Sequence, residues 1–326
     1  MLLRACVRLG MVLSWLSHSS GKGATLRDKD SSFQNDHTNC GPADIRRVLK
    51  PRLLDSSKRD FGSLLIVGGS EVYSGAPALA GMAALRAGCG LAVIAAPMSV
   101  ASTIRSYSPN LIVHPLSAMA VSPADIGRIS ELIASSDAVV LGPGIGRTAQ
   151  TVKAVGSIVE LAGRARKPLL IDADAIRALA GRKQLLSRTK VVLTPHVGEF
   201  KAISGIAVPA VWRQRLRICR KFARDYSCIL LLKGHNTIVS DGSRLKVNRT
   251  GNPGMAVGGT GDVLSGIIGS FLAQGADRFL AATAGAYVHG LSGDLVYKQK
   301  GFHMVASDLI AALPSILRPY DRTALK

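Results

Sequence analysis

The sequence predicts an α/β fold: a mostly parallel central sheet with helices on both faces, in a single domain. Three observations lead there. Short unbroken apolar runs recur along the chain, each run ends in glycine or in a polar turn, and segments of helical character separate the runs. An apolar run without alternation reads as a strand covered on both faces, and strands alternating with helices imply βαβ crossovers.

Taken in order, residues 1–42 lack a pattern and are expected to be a disordered or poorly ordered tail preceding a domain at 43–326. Leu64-Leu65-Ile66-Val67 reads as a buried strand that turns at Gly68-Gly69. Ala76 to Arg86, rich in small residues, is helical in character, and Leu91 to Ala95 is the next strand, closed by Pro97. The alternation then repeats. Ala138–Leu141 runs into Gly142-Pro143-Gly144-Ile145-Gly146, and Leu169–Ile171 into Asp172-Ala173-Asp174. Val191–Leu193 runs into Thr194-Pro195-His196, and Ile229–Leu232 into Lys233-Gly234-His235. Open α/β sheets bind ligands beyond the carboxyl ends of their strands, and each of these polar or glycine-rich turns falls there.

Composition narrows the classes. With 326 residues, 47% of them hydrophobic, the chain is rich enough in apolar side chains for a large core and lies far from the disordered class. The net charge of +20 raises nucleic-acid binding, but the basic residues are scattered. The densest group, Arg213, Arg215, Arg217, Arg220, Lys221 and Arg224, reads as a solvated helix face. Such a field suits anionic small molecules such as nucleotides, and no nucleic-acid partner is expected. Five cysteines, an odd number with no C-x-x-C pair, suggest neither a disulfide framework nor a zinc cluster. A reduced, intracellular setting is the simplest reading, and a cytoplasmic location is expected. The richest apolar stretch, Val263 to Leu272, is too short to span a membrane. Arg4 and Arg8 interrupt the apolar start, which leaves a transit peptide, an over-long start or a disordered tail as readings of Met1 to Leu16.

The strongest chemical signal is NPGMAVGGTGDVLSG at 252–266, a glycine-dense loop entering an apolar helix near Asp262. Glycines let backbone N–H groups converge, and a helix start adds partial positive charge, so the loop is suited to an anion. An aspartate there either caps the helix or accepts a proton from a hydroxyl while the loop holds a phosphoryl group. No Gly-Lys-Ser/Thr follows, so it is not a Walker A loop. Gly142–Gly146 reads as a phosphate loop or a tight turn. His196 and Glu199 read as a ligand pair or as a structural histidine beside a helix-start acid. Lys233, at a strand end, reads as a phosphate neutraliser or a surface turn.

GGTGD followed by VLSGII resembles the anion-hole and aspartate signature of ribokinase-like enzymes, and the longer block resembles the ADP/ATP-dependent NAD(P)H-hydrate dehydratases. Their other blocks occur in order: IVGGSEVYSGAPALAGMAALRAGCG (66–90), VVLGPGIGR (139–147), LLIDADAI (169–176), LTPHVGEF (193–200), LLKGHNTIVSDG (231–242) and AYVHGLSGD (286–294). The resemblance runs from about residue 45 to the end, and the epimerase domain often fused upstream is expected to be absent, the tail before residue 45 being too short for it. It implies a ribokinase-like fold and a stand-alone dehydratase acting on hydrated NADH or NADPH, with ADP or ATP as phosphoryl donor and Mg2+ as cofactor. It implies Asp262 as catalytic base and Gly258, Gly259, Thr260 and Gly261 as the anion hole. Lys233, Gly234, His235, Asn236, Thr237 and Gly261 would bind nucleotide; Ala76, Gly144, Gly146, His196 and Asp262 would bind substrate. Glu199 would organise the metal through water. Val197 stands where that block commonly has proline. A homo-oligomer without a membrane partner is implied, and a small-molecule kinase of the same superfamily is the alternative.

Overall fold

The computed structural model describes residues 38–117 and 119–324. Its strands are β1 (Thr38–Asn39), β2 (Arg52–Leu53), β3 (Ser63–Val67), β4 (Leu91–Pro97), β5 (Ile112–Leu116), β6 (Ala138–Leu141), β7 (Leu169–Ile171), β8 (Val191–Leu193), β9 (Ile229–Leu232), β10 (Thr237–Ser240), β11 (Leu245–Asn248) and β12 (Thr323–Ala324). Ten of them form one sheet in the order β1-β11-β10-β9-β8-β7-β6-β3-β4-β5. From β9 to β5 all neighbours are parallel. β10 is antiparallel to both its neighbours, so β9, β10 and β11 form an antiparallel meander, and β1 adds to β11 in parallel at the edge. The tail expectation for 1–37 lies outside the described residues. Thr38 and Asn39, assigned to that tail, instead pair with Lys246 and Val247 as an edge strand.

The helices are α1 (Pro42–Val48), α2 (Gly75–Arg86), α3 (Met98–Ser106), α4 (Ile126–Ala134), α5 (Ala149–Arg164), α6 (Asp174–Ala178), α7 (Val197–Ser204), α8 (Trp212–Asp225), α9 (Thr260–Ala273), α10 (Arg278–Lys300) and α11 (Ala306–Leu317). Successive strand residues point to opposite faces, and the core divides accordingly. Leu64, Ile66, Val140, Leu170 and Val192 pack with α2, α9, α10 and α11 on one face. Leu65, Val67, Val139, Leu141 and Leu193 pack with α4 to α8 on the other. Both faces are covered, which explains the unbroken apolar runs. On α8, Leu216, Cys219 and Phe222 face inward and Arg217, Lys221 and Arg224 lie exposed, so half of the basic cluster is the solvated face expected of it, while Arg213, Arg215 and Arg220 are half-buried along the flanks.

Two features place the site. The chain proceeds outward from β3 through β4 to β5 on one side, and from β6 through β9 on the other. The β3/β6 boundary is therefore a topological switch point, where the turns after the two strands leave in opposite directions and open a crevice. The second feature is α9, nearly all of it buried, which packs along α2 at close range. Gly266 makes that approach: a Cβ there would run into the backbone carbonyl of Ala80. Gly266→Ala should therefore cost about 1–3 kcal/mol. A melting temperature equal to that of the parent would show that the helices can separate without loss.

Candidate active site

The crevice is built from glycine turns. Gly142, Gly144 and Gly146 all have positive φ, at 127°, 62° and 80°. The Ile145 amide closes a turn onto the Gly142 carbonyl at 3.0 Å, and the Gly69 amide reaches across the switch point to the Pro143 carbonyl at 2.9 Å. A Cβ on Gly144 would stand 2.7 Å from the Tyr73 carbonyl and 3.0 Å from the Ala76 Cβ. Positive φ and this proximity both require glycine there. The structure thus brings Ala76, at the start of α2, against Gly144, with Gly146 nearby beside Ser70.

The carboxyl ends of β7, β8 and β9 supply a charged cluster. Asp172 is 2% exposed. It accepts hydrogen bonds from Lys233 Nζ at 2.8 Å and from the Ser265 hydroxyl at 2.7 Å. Burial pushes its carboxyl up, but the Lys233 ammonium and these hydrogen bonds outweigh burial and hold it below the usual range. Lys233 also lies 3.8 Å from Glu199. Burial works against its charge, yet the neighbouring carboxylates of Asp172 and Glu199 win and raise its pKa. Ala173, next to Asp172, has φ 51° and ψ −130° without being glycine. Such backbone stores about 1–3 kcal/mol of strain and persists where the surroundings impose it.

His196 and Glu199 form a reciprocal cap on α7. The His196 Nδ1 accepts from the Gly198 and Glu199 amides at 2.9 and 3.3 Å, and Glu199 accepts from the His196 amide at 2.9 Å. The structural role is therefore real. It leaves the His196 ring half exposed and holds Glu199 next to Lys233, where burial raises the carboxyl.

Asp262 sits in the first turn of α9. The helix begins at Thr260, two residues earlier than the sequence suggests, and its N-cap is Gly259, with φ 92°. Asp262 is thus past the cap position. A Cβ on Gly259 would stand 2.7 Å from Leu79 and 2.9 Å from Ala306, whereas at Gly258 it would meet nothing within 4 Å. The Thr260 hydroxyl donates to the carbonyls of Met255 and Val257, both at 3.0 Å, and ties the loop to the helix. At Gly261, a Cβ would lie 3.6 Å from Lys233 Nζ and 3.9 Å from Asp172, which joins the glycine loop to the charged cluster. Burial first, and then the nearby Asp172 charge, push the Asp262 carboxyl up to about 7 against the pull of Lys233.

Lys233 leads directly into Gly234–Thr237 and the β9–β10 hairpin, where Gly234 and His235 lie exposed. Sequence reasoning left Asp172, Ser265, His289 and Asp294 without roles. Asp294 accepts hydrogen bonds from the Gly251 amide at 3.0 Å and from Asn252 Nδ2 at 3.1 Å, and His289 Nε2 donates to the Thr260 carbonyl at 2.9 Å. The only available signal was their place inside motif blocks: Asp172 in LLIDADAI, Ser265 in NPGMAVGGTGDVLSG, and His289 and Asp294 in AYVHGLSGD.

The family model described as NAD(P)H-hydrate dehydratase matches residues 64–315. The chain is 42% identical over 281 residues to the bifunctional NAD(P)H-hydrate repair enzyme Nnr of Pyrobaculum aerophilum, covering 86% of this chain and 55% of that protein. It spans about half the length of such bifunctional relatives. It is 37% identical over 287 residues to the ADP-dependent (S)-NAD(P)H-hydrate dehydratase of Cenarchaeum symbiosum, covering 86% of this chain and 97% of that one. The solved ADP/ATP-dependent NAD(P)H-hydrate dehydratase of Bacillus subtilis, co-crystallised with ATP and Mg2+, superposes with a TM-score of 0.75 at 27% identity. That match covers 88% of this chain and 100% of the other. The fold is ribokinase-like, and the chain belongs to the NAD(P)H-hydrate dehydratase family.

Proposed function

We propose that the chain restores NADH and NADPH from the S-form of their hydrates, with ATP or ADP as phosphoryl donor. The observation that carries this reading is Asp262, a half-buried carboxyl in the first turn of α9, beside a glycine loop and a fixed lysine, where desolvation raises it to about 7. Relatives named for this reaction support it.

The hydroxyl of the hydrated nicotinamide ring attacks the terminal phosphoryl group of the nucleotide while Asp262 accepts the hydroxyl proton. The O–P bond to the nucleotide breaks as the new O–P bond forms. Backbone N–H groups of Gly258, Gly259, Thr260 and Gly261 face the charge on the transferring oxygens. Lys233, with Gly234, His235, Asn236 and Thr237, neutralises and cradles the nucleotide phosphates. Ala76, Gly144 and Gly146 leave room for the ring, and His196 borders it. Phosphate then leaves as the ring nitrogen supplies electrons, the neighbouring ring carbon loses a proton, and the reduced nicotinamide returns.

The carboxylates present suit Mg2+ held largely through water and phosphate oxygens. Among the described residues no three His, Cys, Asp or Glu side chains converge as a metal cage, while Glu199 lies buried at the edge of the charged cluster. When bound, Mg2+ offsets negative charge on the phosphoryl oxygens, and Glu199 would hold it through water. We place the protein in the cytoplasm as a homo-oligomer. The described cysteines Cys40, Cys89, Cys219 and Cys228 are all free and buried, in keeping with a reducing setting. Among the described residues no helix is long and apolar enough to cross a membrane.

Product analysis separates this reaction from that of a small-molecule kinase. A dehydratase releases one inorganic phosphate for each reduced dinucleotide formed. A stable phosphoester with no free phosphate would sink the reading in favour of the kinase. The pH profile tests the role of Asp262. A base must be ionised, so kcat/KM for the free enzyme should fall as pH drops through about 7. A rate unchanged between about pH 5.5 and 8 would remove Asp262 from that role.

A further inference from the structure

The N–H groups proposed as the anion hole lie in the end of the glycine loop and the first turn of α9, and at a helix start such donors have no partners within the helix. Helix ends fray, and a donor that wanders from its aim loses most of its value to a transition state. The turn is held from two sides. From the loop side, the Thr260 hydroxyl grips the carbonyls of Met255 and Val257. From the sheet-covering side, α10 sends His289 to the Thr260 carbonyl, with Nε2 at 2.9 Å. A carbonyl only accepts, so Nε2 must carry the proton. Burial keeps the ring neutral, pushing it down to about 4, so this donor does not change over the working pH range. A trans peptide points its C=O and N–H in opposite directions. Anchoring the Thr260 carbonyl on α10 therefore fixes the Gly261 N–H of the same peptide unit.

We infer that His289 is a positioning residue: by pinning the Thr260 carbonyl it keeps the Gly261 N–H and the first turn of α9 aimed at the transferring phosphoryl group. The inference rests on the anion-hole role proposed for that turn. His289 itself touches neither substrate nor nucleotide in this scheme. Asp294, one helical turn and a half further along α10, holds the other end of the loop as an acceptor, taking hydrogen bonds from the Gly251 amide and Asn252 Nδ2. One helix thus braces both ends of the glycine loop.

Three variants test it. In His289→Gln the carboxamide nitrogen falls where Nε2 stood and can still donate. In His289→Asn the amide is too short, and in His289→Leu the donor is gone. Expected are a kcat within about fivefold of the parent for Gln, and losses of about 10- to 100-fold for Asn and Leu, smaller than the direct removal of one hole donor. Nucleotide KM should stay within about threefold in all three, because ground-state phosphate binding does not depend on the aim of one N–H. Melting temperatures identify any variant that fails to fold, and the contrast between Gln and Asn then decides the matter. Equal kcat for the Gln and Asn variants, or a Leu variant as fast as the parent, overturns the inference. Binding of ADP and of AMP in the presence of aluminium fluoride, which mimics the transferring phosphoryl group, needs no hydrated dinucleotide. If the parent does not turn over the hydrate yet the fluoroaluminate complex still weakens in Leu and not in Gln, the proposed substrate is wrong and the role of His289 stands. If the fluoroaluminate complex is indifferent to all three substitutions, the positioning role falls whatever the substrate.

Discussion

Asp262→Asn is expected to lower turnover by about three to four orders of magnitude while leaving fold and ligand binding in place. Asparagine matches the shape of the carboxyl but cannot accept the hydroxyl proton. The substitution should also stabilise the protein in alkaline solution. In the fold the carboxyl is raised to about 7, burial and the Asp172 charge both opposing its ionisation, whereas an unfolded aspartate titrates near 3.9. A raised folded value means that the stability linked to the protonated form is fully present below about 4 and is lost as pH rises through about 7. The Asn variant has no such loss, so its melting temperature should exceed that of the parent at about pH 8 and converge with it at about pH 4. A variant that is both active and less stable at pH 8 would contradict the assignment twice.

Lys233→Met is expected to give the largest change in stability. The ammonium lies 2.8 Å from Asp172 and 3.8 Å from Glu199, and both carboxylates are buried. Removing one partner of a buried ion pair leaves uncompensated charge and costs about 3–5 kcal/mol. In the parent, Asp172 is held below its usual range, so its contribution is present at neutral pH and lost as pH falls through that low value. Without the lysine, burial dominates and the order reverses: the folded state prefers the protonated acid, and stability declines as pH rises. Denaturant unfolding at about pH 5 and pH 8 should therefore show the greater deficit at pH 8. Nucleotide affinity should fall as well. A variant as stable as the parent at pH 8 would show that Lys233 does not neutralise the cluster.

The sheet was legible because its strands are buried on both faces. Leu64–Val67, Ala138–Leu141, Leu169–Ile171, Val191–Leu193 and Ile229–Leu232 each appear as an apolar run, and each forms a strand. Thr38–Asn39 was not legible, since a two-residue edge strand carries no periodicity and exists only through its pairing with β11. The start of α9 was misread by two residues. The sequence places an aspartate where a cap would suit, but the actual cap is Gly259, which has a positive φ and a close approach to Leu79 and Ala306 that local sequence does not reveal. Ala76 and Gly144 could be named from motifs, yet their mutual contact depends on the strand order at the β3/β6 switch point. Asp172, His289 and Asp294 act through partners 93, 29 and 43 residues away in sequence, and local spacing carries no trace of such pairs.

The most direct test of the proposed function is the near-ultraviolet absorbance of the reduced nicotinamide ring. Hydrated NADH would be incubated with Mg2+, either ATP or ADP, and either the parent chain or its Asp262→Asn variant. Absorbance is expected to rise only with nucleotide and parent protein, and the nucleotide that supports the rise is the phosphoryl donor. No rise with either nucleotide, from protein shown to be folded, would contradict the account and point to a kinase acting on another alcohol.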